Sequence, residues 1–374
     1  MAKVKVGLIY GGRSGEHEIS ILSANSVISA IDRQKYEVYP IGITKEGAWI
    51  PGQSPSALVE SKELRVRRLA VDRGEVPGGA SVAGDNNSLM ALENKRGQIL
   101  SGLREKVDLV FPVMHGPFGE DGTIQGLLEL AGIPYVGGGV LGSAVGMDKA
   151  MMKAVFLQHG LPVGDYLAIL RRDWEANPGQ IMDRIEQRLG YPCFVKPANL
   201  GSSVGISKAH HREELQKALD LAALYDRRLV VEKMLAGREI ECGVLGNDEP
   251  KASVLGEIVP CAEFYDYEAK YVLNNSKLII PADLPEEITR QVQGLAIRAF
   301  KAIDGAGLGR VDFFVDPERG QVFVNEINTM PGFTRISMYP KLWEASGISY
   351  PELIDRLIQL AFERHRDKSR NKIK

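Results

Sequence analysis

The sequence has 374 residues, of which 44% are hydrophobic and 25% charged, a composition typical of a globular protein rather than a disordered one. Its length exceeds that of one ordinary hydrophobic core, so we expect two or three domains. The formal net charge of −2 gives no electrostatic basis for binding nucleic acid or a membrane surface. The three cysteines are far apart, which argues against a disulfide framework or a zinc site. Because no secretion signal or apolar run of membrane length is present, we expect a soluble cytoplasmic protein.

The N-terminal elements predict an open α/β sheet. Residues 4–10 form a buried-strand run, a glycine-rich turn follows, and residues 19–31 show helical spacing of apolar side chains before a second strand at 38–43. This order indicates a doubly wound sheet. The turn lacks the GxGxxG pattern of dinucleotide-binding proteins. Glu16, at the start of the helix, either caps that helix or binds the ammonium group of a ligand, and the sequence leaves both open.

Further elements follow along the chain. Residues 107–113 predict a strand, and 124–130 predict a helix that ends at Gly132. Residues 137–142 are rich in glycine and indicate a boundary, whereas 51–96 shows no readable element. The remaining predicted elements are helices at 148–159, 178–189, 212–225, 285–303 and 350–364, and strands at 167–170, 193–196, 229–234, 239–245 and 253–259.

Two segments carry residues suited to a nucleotide. Residues 194–205 form a strand that ends at Lys196 and continues into a loop of small residues, whose backbone N–H groups could close over phosphates. The lysine precedes the loop, so this is not the GxxxxGK[ST] motif. Residues 230–235 form a strand that enters a turn, where the backbone could bind an adenine edge and Glu232 a ribose. Each segment alone is also compatible with a structural turn.

An aromatic segment at 264–271 lies between predicted strands and has no regular period. A long irregular loop of this kind is more often functional than filler, so we expect a lid over an active site. The alternative is a surface loop with an aromatic anchor.

A hairpin near the C-terminus carries the strongest chemical signal. Strands at 309–316 and 321–328 are joined by a turn, and side chains alternate between the two faces of each strand. A register that pairs Asp312 with Glu326 puts four polar groups on one face: Arg310, Asp312, Glu326 and Asn328. The opposite face would then be apolar, with Val311, Phe313, Val315, Phe323 and Ile327. Two carboxylates and an amide suit Mg²⁺, and the alternative is a solvated sheet face.

The second strand of the hairpin continues into a Pro-Gly turn at 331–332. The backbone N–H of Gly332 is well placed to stabilise an oxyanion near Arg310. Ser337 and Met338 follow within reach of the same site. The hairpin and the turn together point to phosphoryl-transfer chemistry.

In this order and combination, the motifs resemble those of the ATP-grasp superfamily and, within it, the D-alanine–D-alanine ligase family over nearly the whole chain. The matching pieces are Gly11-Gly12-x-Ser14-x-Glu16-x-Glu18-x-Ser20, His115-Gly116-x-x-Gly119-Glu120-Asp121-Gly122, Met147-Asp148-Lys149, Val195-Lys196-Pro197 to Gly205, Tyr265 to Tyr271, Gly309-Arg310-Val311-Asp312, and Asn325-Glu326-Ile327-Asn328-Thr329-x-Pro331-Gly332. Each piece is modest alone, but the set with its Tyr-Glu-Ala-Lys-Tyr segment is specific.

The resemblance implies an α/β, three-domain ATP-grasp architecture. An N-terminal substrate domain (1–140) would hold a doubly wound parallel sheet. A central ATP-grasp subdomain (141–232) and a C-terminal one (233–374) would be α+β, with mainly antiparallel sheets. The C-terminal subdomain would carry the metal site and a lid loop at 261–277. The family also suggests a homodimer formed through the N-terminal domain.

The reaction implied by the resemblance is ATP-dependent ligation of two D-alanines to D-alanyl-D-alanine, through a D-alanyl phosphate, for peptidoglycan precursors. ADP and phosphate would be released, and two Mg²⁺ ions, replaceable by Mn²⁺, would assist. Tyr271 favours this reaction over a D-alanine–D-lactate ligase, which stays open as an alternative together with other ATP-grasp carboxylate–amine ligases. A nucleotide-binding protein without catalysis is disfavoured because the metal set is complete.

The resemblance also assigns roles to individual residues. Metal binding would fall to Asp312, Glu326 and Asn328. ATP would be bound by Lys149, Lys196, Ser203, Glu232, Lys233, Leu235, Glu239, Lys270, Asn325 and Glu326. The first D-alanine would meet Glu16 and His115, with Ser202 and Tyr271 hydrogen-bonded to Glu16 to hold the lid. The oxyanion would be stabilised by Arg310 and Gly332, and the second D-alanine carboxylate bound by Ser337 and Met338.

Overall fold

The computed structural model describes residues 2–56, 98–259 and 277–372. Lys270 and Tyr271, with nearly all of the expected lid at 261–277, lie outside the described residues, as does most of the region 51–96. The strands of the described residues form three separate sheets, and apolar side chains pack against each of them. The architecture is mixed α/β, as the sequence predicts.

The N-terminal sheet is mostly parallel and is covered on both faces. Its strands are β1 (Val4–Gly11), β2 (Tyr36–Ile43), β3 (Trp49–Pro51) and β4 (Leu109–Pro112). The order is β3-β2-β1-β4, and only the short β3 is antiparallel to its neighbour. One face packs against helix α1 (His17–Ala30), and the other against α2 (Gln98–Lys106) and α3 (Thr123–Ala131). The doubly wound prediction is confirmed, and residues 6–11 of β1 are all buried because both faces of a parallel sheet are covered.

Helices α4 (Val140–Met147) and α5 (Lys149–Gln158) lead into a second, fully antiparallel sheet. Its strands are β5 (Tyr166–Leu170), β6 (Cys193–Pro197), β7 (Ser207–Ala209) and β8 (Arg228–Lys233), in the order β5-β8-β6-β7. Three helices cover one face: α6 (Arg171–Ala176), α7 (Pro178–Arg188) and α8 (Arg212–Tyr225). On the other face Ala150 of α5 packs with Ala198 and Val230, so α5 lies directly beside the strands that carry the predicted nucleotide residues.

The third sheet contains the predicted hairpin. Its strands are β9 (Arg238–Gly246), β10 (Lys251–Val259), β11 (Lys277–Ile279), β12 (Gly307–Asp316) and β13 (Gln321–Asn328), in the order β11-β10-β9-β12-β13. All neighbouring strands are antiparallel. Helix α9 (Glu286–Ala302) packs its apolar side on this sheet. Two helices complete the chain, α10 (Met338–Ala345) and α11 (Tyr350–Lys368).

The hairpin register is the predicted one at its polar end and different beyond it. Asp312 lies opposite Glu326, as expected, but the register then shifts so that Phe313 faces Val324. Asn325 is therefore an extra residue, a β-bulge, and such a residue reverses which face the following side chains occupy. The prediction that Phe323 joins the apolar face is wrong for this reason. Val322 and Val324 are buried in the core in its place.

Helix α4 was not predicted, because its glycines suggested a boundary. A Cβ at Gly142 would lie 2.7 Å from the carbonyl oxygen of Asp304, and one at Gly146 would lie 2.6 Å from Thr329 Cγ2. The glycines therefore serve close packing of the helix rather than chain flexibility. Helices α6 and α10 and the short strands β3, β7 and β11 were also missed, since short elements carry little periodic signal.

The C-terminal helix α11 completes the N-terminal core. Leu353, Leu357 and Ile358 of α11 share a buried cluster with Leu8 and Phe111 of the first sheet. Residues at opposite ends of the sequence are therefore packed together. The expected assignment of the whole 233–374 range to one subdomain does not anticipate this contact.

Expectations from composition can also be compared with the structure. Cys193 and Cys242 are buried free thiols, consistent with the absence of a disulfide framework expected from their spacing, and burial raises the pKa of Cys193 to about 11. His210 and His211 are exposed to solvent. Within residues 2–56, 98–259 and 277–372, no helix combines the length and apolar character needed to cross a membrane.

Candidate active site

A cavity of about 320 Å³ opens where the three sheets meet. It is lined by the ends of strands and the loops that follow them, so side chains far apart in sequence converge there. Sixteen of the predicted site residues line it: Glu16, His115, Lys149, Lys196, Ser202, Ser203, Glu232, Lys233, Leu235, Glu239, Arg310, Asp312, Asn325, Glu326, Asn328 and Gly332. Ser337 and Met338 are described but do not line it.

The hairpin face presents a buried guanidinium held by carboxylates. Arg310 donates through Nε and Nη2 to the two oxygens of Asp312, both at 2.7 Å, and its Nε lies 3.0 Å from Glu241 Oε2. Burial opposes the positive charge, but Asp312 and Glu241 outweigh it and raise the pKa of Arg310 well above its ordinary value. Asn328 Nδ2 also donates to Asp312, at 2.9 Å. Sequence reasoning missed Glu241, although it lies directly opposite Asp312 on the neighbouring strand β9.

The donor set of the hairpin can be tested against a divalent cation. Among the described residues, no group of three or more His, Cys, Asp or Glu side chains could by itself hold a metal ion. Asp312, Glu326 and Asn328 instead offer two carboxylates and an amide on the cavity wall. Mg²⁺ is usually bound by one or two carboxylates together with phosphate oxygens of the substrate. The residues therefore fit Mg²⁺ that arrives with a phosphorylated substrate.

A second charged group lies deeper, under the predicted nucleotide site. Glu232 is placed between two lysines, with Lys196 Nζ at 2.7 Å from Oε2 and Lys153 Nζ at 3.1 Å from Oε1. Lys153 also donates to the backbone carbonyl of Asn325 at 3.1 Å, which ties helix α5 to strand β13. Burial would raise the pKa of Glu232, but the two lysines lower it to about 2. Lys153 was missed, although it follows Lys149 by one helical turn on the same face.

Lys149 lies at the first turn of α5, where Asp148 caps the helix by accepting the N–H groups of Ala150 and Met151. Its Nζ donates to the carbonyl of Leu200 at 2.7 Å and lies 3.7 Å from Glu326 Oε2. The lysine therefore joins the small-residue loop to the hairpin. Lys149 and Lys196 both reach the cavity, so two cationic side chains are available there for phosphate oxygens.

Glu16 faces the cavity rather than the helix it precedes. Its side chain makes no hydrogen bond to the first turn of α1, so the capping alternative is wrong. Ser202 Oγ donates to Glu16 Oε1, as expected from the resemblance. A Cβ at Gly201 would lie 2.8 Å from Glu16 Oε2, and one at Gly116 would lie 3.1 Å from the same oxygen. Two glycines therefore leave just enough room for this carboxylate.

His115 links the first sheet to the turn after β13. Its Nδ1 lies 3.0 Å from the carbonyl oxygen of Met330, and Nε2 lies 3.0 Å from Ser23 Oγ. Because a carbonyl only accepts, Nδ1 carries a proton and donates. Ser23 also accepts the N–H of Phe333 at 3.3 Å. Ser23 was not singled out from the sequence, since a serine inside a helix gives no signal of so distant a contact.

The Pro-Gly turn brings a backbone donor to the cavity. Gly332 lines it, and in the part of the chain that the structure describes its N–H has no hydrogen-bond acceptor. Ser337 lies beside it, because a Cβ at Gly332 would be 2.9 Å from Ser337 Oγ. Ser337 bonds instead to Thr334 Oγ1 at 2.7 Å, and the Met338 side chain is buried with Ile258 and Leu342. These two residues thus stand just behind the turn, at the start of α10.

Two family models match the chain. The one described as D-ala D-ala ligase N-terminus covers residues 5–138, and the one described as D-ala D-ala ligase C-terminus covers 155–359. A curated relative named D-alanine--D-alanine ligase, from Ruminiclostridium cellulolyticum, is 54% identical over 373 residues, 99% of this chain and 98% of the relative. A relative of the same name from Bacillus cytotoxicus is 50% identical over 372 residues, 100% of this chain and 99% of the relative.

Solved structures extend the likeness to three dimensions. The D-alanine-D-alanine ligase from Coxiella burnetii has a TM-score of 0.78 and 39% identity, covering 99% of this chain and 97% of its own. The VanG D-Ala:D-Ser ligase from Enterococcus faecalis has a TM-score of 0.77 and 36% identity, covering 96% of this chain and 100% of its own. Both matches extend over nearly the whole chain, so they include all three sheets and the cavity between them.

Proposed function

Because the chain belongs to the D-alanine–D-alanine ligase family and is an ATP-dependent ligase of two D-alanines, we propose that the cavity between its three sheets is the active site. The observation that carries this proposal is that three features line one cavity. They are the Glu16 carboxylate, which can bind an ammonium group, the hairpin with its oxygen ligands, and the backbone N–H of Gly332. These are the groups that an amino acid, a triphosphate and a tetrahedral intermediate require.

The reaction has two steps. A carboxylate oxygen of the first D-alanine attacks the γ-phosphorus of ATP, which forms D-alanyl phosphate and releases ADP. The amine of the second D-alanine, after losing a proton from its ammonium form, then attacks the acyl carbon. The tetrahedral intermediate expels phosphate and leaves D-alanyl-D-alanine, a precursor of peptidoglycan. Such phosphoryl transfer depends on positioning and charge neutralisation more than on covalent help from the protein.

For the nucleotide, we assign the phosphates to Lys149 and Lys196 and to the backbone of the loop that contains Ser203. The adenine would meet Lys233 and Leu235, at the end of β8. Both carboxylate oxygens of Glu232 are ion-paired with lysines, and Glu239, which lines the same cavity, is assigned to the ribose. Glu232 then acts by holding Lys196 in place, and Lys270 of the expected lid would add a third cation.

Asp312, Glu326 and Asn328 would hold Mg²⁺, which when bound neutralises negative charge on the phosphates. Asn325, the bulged residue, lines the same cavity. Arg310 is ion-paired with both Asp312 and Glu241 in this structure. When phosphate charge is present in the cavity, the same guanidinium would also be available to it.

The first D-alanine is proposed to bind with its ammonium at Glu16 and its carboxylate directed towards the hairpin. His115 would shape this site from the neighbouring loop. The N–H of Gly332 and the guanidinium of Arg310 would stabilise the oxyanion of the tetrahedral intermediate. The support is geometric, because the Gly332 N–H reaches the cavity without an acceptor among the described residues.

The second D-alanine carboxylate is assigned to the start of α10, at Ser337 and Met338. The first N–H groups of a helix have no partner within it, which favours an anion there. The lid at 261–277, in which Tyr271 would join Ser202 in hydrogen-bonding to Glu16, would close over both substrates. Closure would keep water from hydrolysing the acyl phosphate.

We also propose the division 1–140, 141–232 and 233–374, since each range contains one of the three sheets. A homodimer through the N-terminal domain is supported by exposed apolar side chains on α1 and α3, with Leu22 51% and Leu130 91% exposed. The need for ATP supports a cytoplasmic location. Molar mass in solution, compared between the native chain and Leu130→Lys, tests the dimer.

The experiment that tests the proposed function is phosphate release from ATP and Mg²⁺ with D-alanine, L-alanine, D-lactate or D-serine as acceptor. D-alanine alone should support release and yield the dipeptide. Relatives of 50% identity or more carry the D-alanine--D-alanine ligase name, whereas the D-Ala:D-Ser ligase is 36% identical, so the serine and lactate alternatives are not favoured. Release that requires D-lactate or D-serine would overturn the assignment of the second substrate.

A further inference from the structure

Glu120 is a cavity-lining carboxylate to which neither the motifs nor the reaction steps above give a role. Its side chain is only 8% exposed. Oε1 accepts the N–H of Gly116 at 2.7 Å, and Oε2 accepts the N–H of Met330 at 3.3 Å. One carboxylate therefore joins the loop after β4 to the turn after β13, which belong to different sheets.

Met330 is held at both of its backbone polar groups from the same loop. Its N–H is bound by Glu120, and its carbonyl accepts from His115 Nδ1 at 3.0 Å. Thr329 Oγ1 adds a longer contact, 3.4 Å, to the carbonyl of Glu120. These bonds set the distance between the loop that contains Gly116 and the turn that contains Gly332.

The loop that contains Gly116 and the turn that contains Gly332 both contribute to the proposed binding site of the first D-alanine. Gly116 packs against the Glu16 carboxylate, since a Cβ there would lie 3.1 Å from Oε2. Gly332 follows Met330 by two residues and offers the proposed oxyanion donor. In an α-amino acid the ammonium nitrogen and the carboxyl carbon are separated by a single carbon. The binding groups for the two ends can therefore tolerate little change in their separation, and a displacement of about 1 Å can cost roughly 100-fold in rate.

We propose that Glu120 is a positioning residue that holds the ammonium site at Glu16 and the oxyanion donor at Gly332 in register for the first D-alanine. The inference rests on the proposed function, because it takes Glu16 and Gly332 as binding groups. Glu120 acts through the two loops that it joins, and its negative charge, when present, adds to the attraction of the cavity for an ammonium group.

The charge of Glu120 provides a second, independent readout. Burial and the nearby Glu16 carboxylate raise its pKa to about 8, although the two N–H donors and Lys149 act in the opposite direction. The charged or titratable groups that face it are Glu16 from the turn after β1, Lys149 from α5 and His115 from its own loop. The carboxylate form is therefore gained as pH rises towards 8, and kcat/KM for D-alanine should rise with it.

The test compares Glu120→Gln, Glu120→Asp and the native enzyme in steady-state assays between pH 6.5 and 9, with D-alanine varied at saturating ATP and Mg²⁺. The glutamine amide carries no charge, and its single oxygen cannot replace both carboxylate oxygens as acceptors for the N–H groups of Gly116 and Met330. The aspartate keeps the charge, but its shorter side chain cannot span the distance between these two N–H groups. We expect Glu120→Gln to lower kcat/KM for D-alanine about 100-fold, to change the ATP KM less than about threefold, and to make the rise towards pH 8 shallower than in the native enzyme, where deprotonation of the substrate amine and of Glu120 both contribute. Glu120→Asp should retain that rise at reduced kcat/KM.

The matched control is Glu129→Gln, the same change at a carboxylate of α3 that pairs with Lys368 and Tyr135 away from the cavity. It should behave as the native enzyme. Native-like kcat/KM in Glu120→Gln, a rise towards pH 8 as steep as in the native enzyme, or equal increases in the ATP and D-alanine KM would overturn the inference. If Glu120→Gln does not fold, Glu120→Asp tests the inference, because it should affect the KM for D-alanine more than the KM for ATP. Absence of D-alanine-dependent phosphate release in the native enzyme would instead refute the proposed function.

Discussion

Replacement of Glu232 by glutamine tests the buried charge cluster under the nucleotide site. The change keeps the shape of the side chain but removes the carboxylate that lies within 3.1 Å of both Lys153 and Lys196. At an effective dielectric constant of about 20, each contact represents a gross attraction of about 5–6 kcal/mol. Desolvation cancels much of this, and removal of one partner of a buried pair typically costs about 3–5 kcal/mol.

The pKa of Glu232 gives a similar value for the contribution of its charge to the free energy of unfolding. Its ordinary value is 4.5 and its value in the folded protein is about 2, a difference that corresponds to roughly 3 kcal/mol of stability at neutral pH. Because the folded-state pKa is the lower one, this contribution is fully present above about pH 4.5 and is lost as pH falls towards 2. Lys196 keeps an attraction to Glu326 and Glu239, so we expect the low end of the range, about 3 kcal/mol.

Urea denaturation without nucleotide, followed by tryptophan fluorescence, measures this change. Trp174 is buried in the core of the same sheet as Glu232 and reports on its unfolding. The free energy of unfolding of the native protein should exceed that of Glu232→Gln by about 3 kcal/mol at pH 7 and by only about 1.4 kcal/mol at pH 3. Adding Lys153→Met to Glu232→Gln should recover part of the loss, since one lysine without a counter-charge is removed. Glu129→Gln, at a partly exposed pair, serves as the control, with an expected loss below about 1 kcal/mol.

This reasoning would be refuted if Glu232→Gln lost as little free energy of unfolding as the control, or if its loss were the same at pH 7 and pH 3. The first outcome would mean that the two lysines do not need this carboxylate. The second would mean that its ionisation does not stabilise the fold.

Two further predictions concern the cavity. Glu326→Gln should lose most of its turnover while the ATP KM rises less, because a proposed Mg²⁺ ligand is weakened; near-normal kcat at all Mg²⁺ concentrations would contradict the metal assignment. Gly201→Ala should raise the D-alanine KM about tenfold and leave the ATP KM nearly unchanged, since its Cβ would lie 2.8 Å from Glu16 Oε2. Gly126→Ala, where no atom lies within 4 Å of the added Cβ, is its control, and equal effects of the two changes would count against that contact.

Local rules were enough to predict much of the framework. Alternation of side chains correctly paired Asp312 with Glu326, and helical spacing placed α1, α8 and α11 close to their observed limits. These features depend on a few neighbouring residues, so short-range geometry determines them. The bulge at Asn325 lies outside such rules, because one extra residue leaves no mark on composition and yet moves Phe323 off the apolar face.

The sequence by itself determined which residue types could carry the chemistry, and the order of its motifs pointed to a three-part ATP-grasp architecture. Only the tertiary structure decided how they meet. Lys153 of α5 contacts Glu232 of β8, Glu120 reaches Met330, and helix α11 returns to the N-terminal core. Each of these contacts joins residues that are far apart along the chain. Their energies depend on burial and on distances of about 3 Å, which no spacing within the sequence specifies.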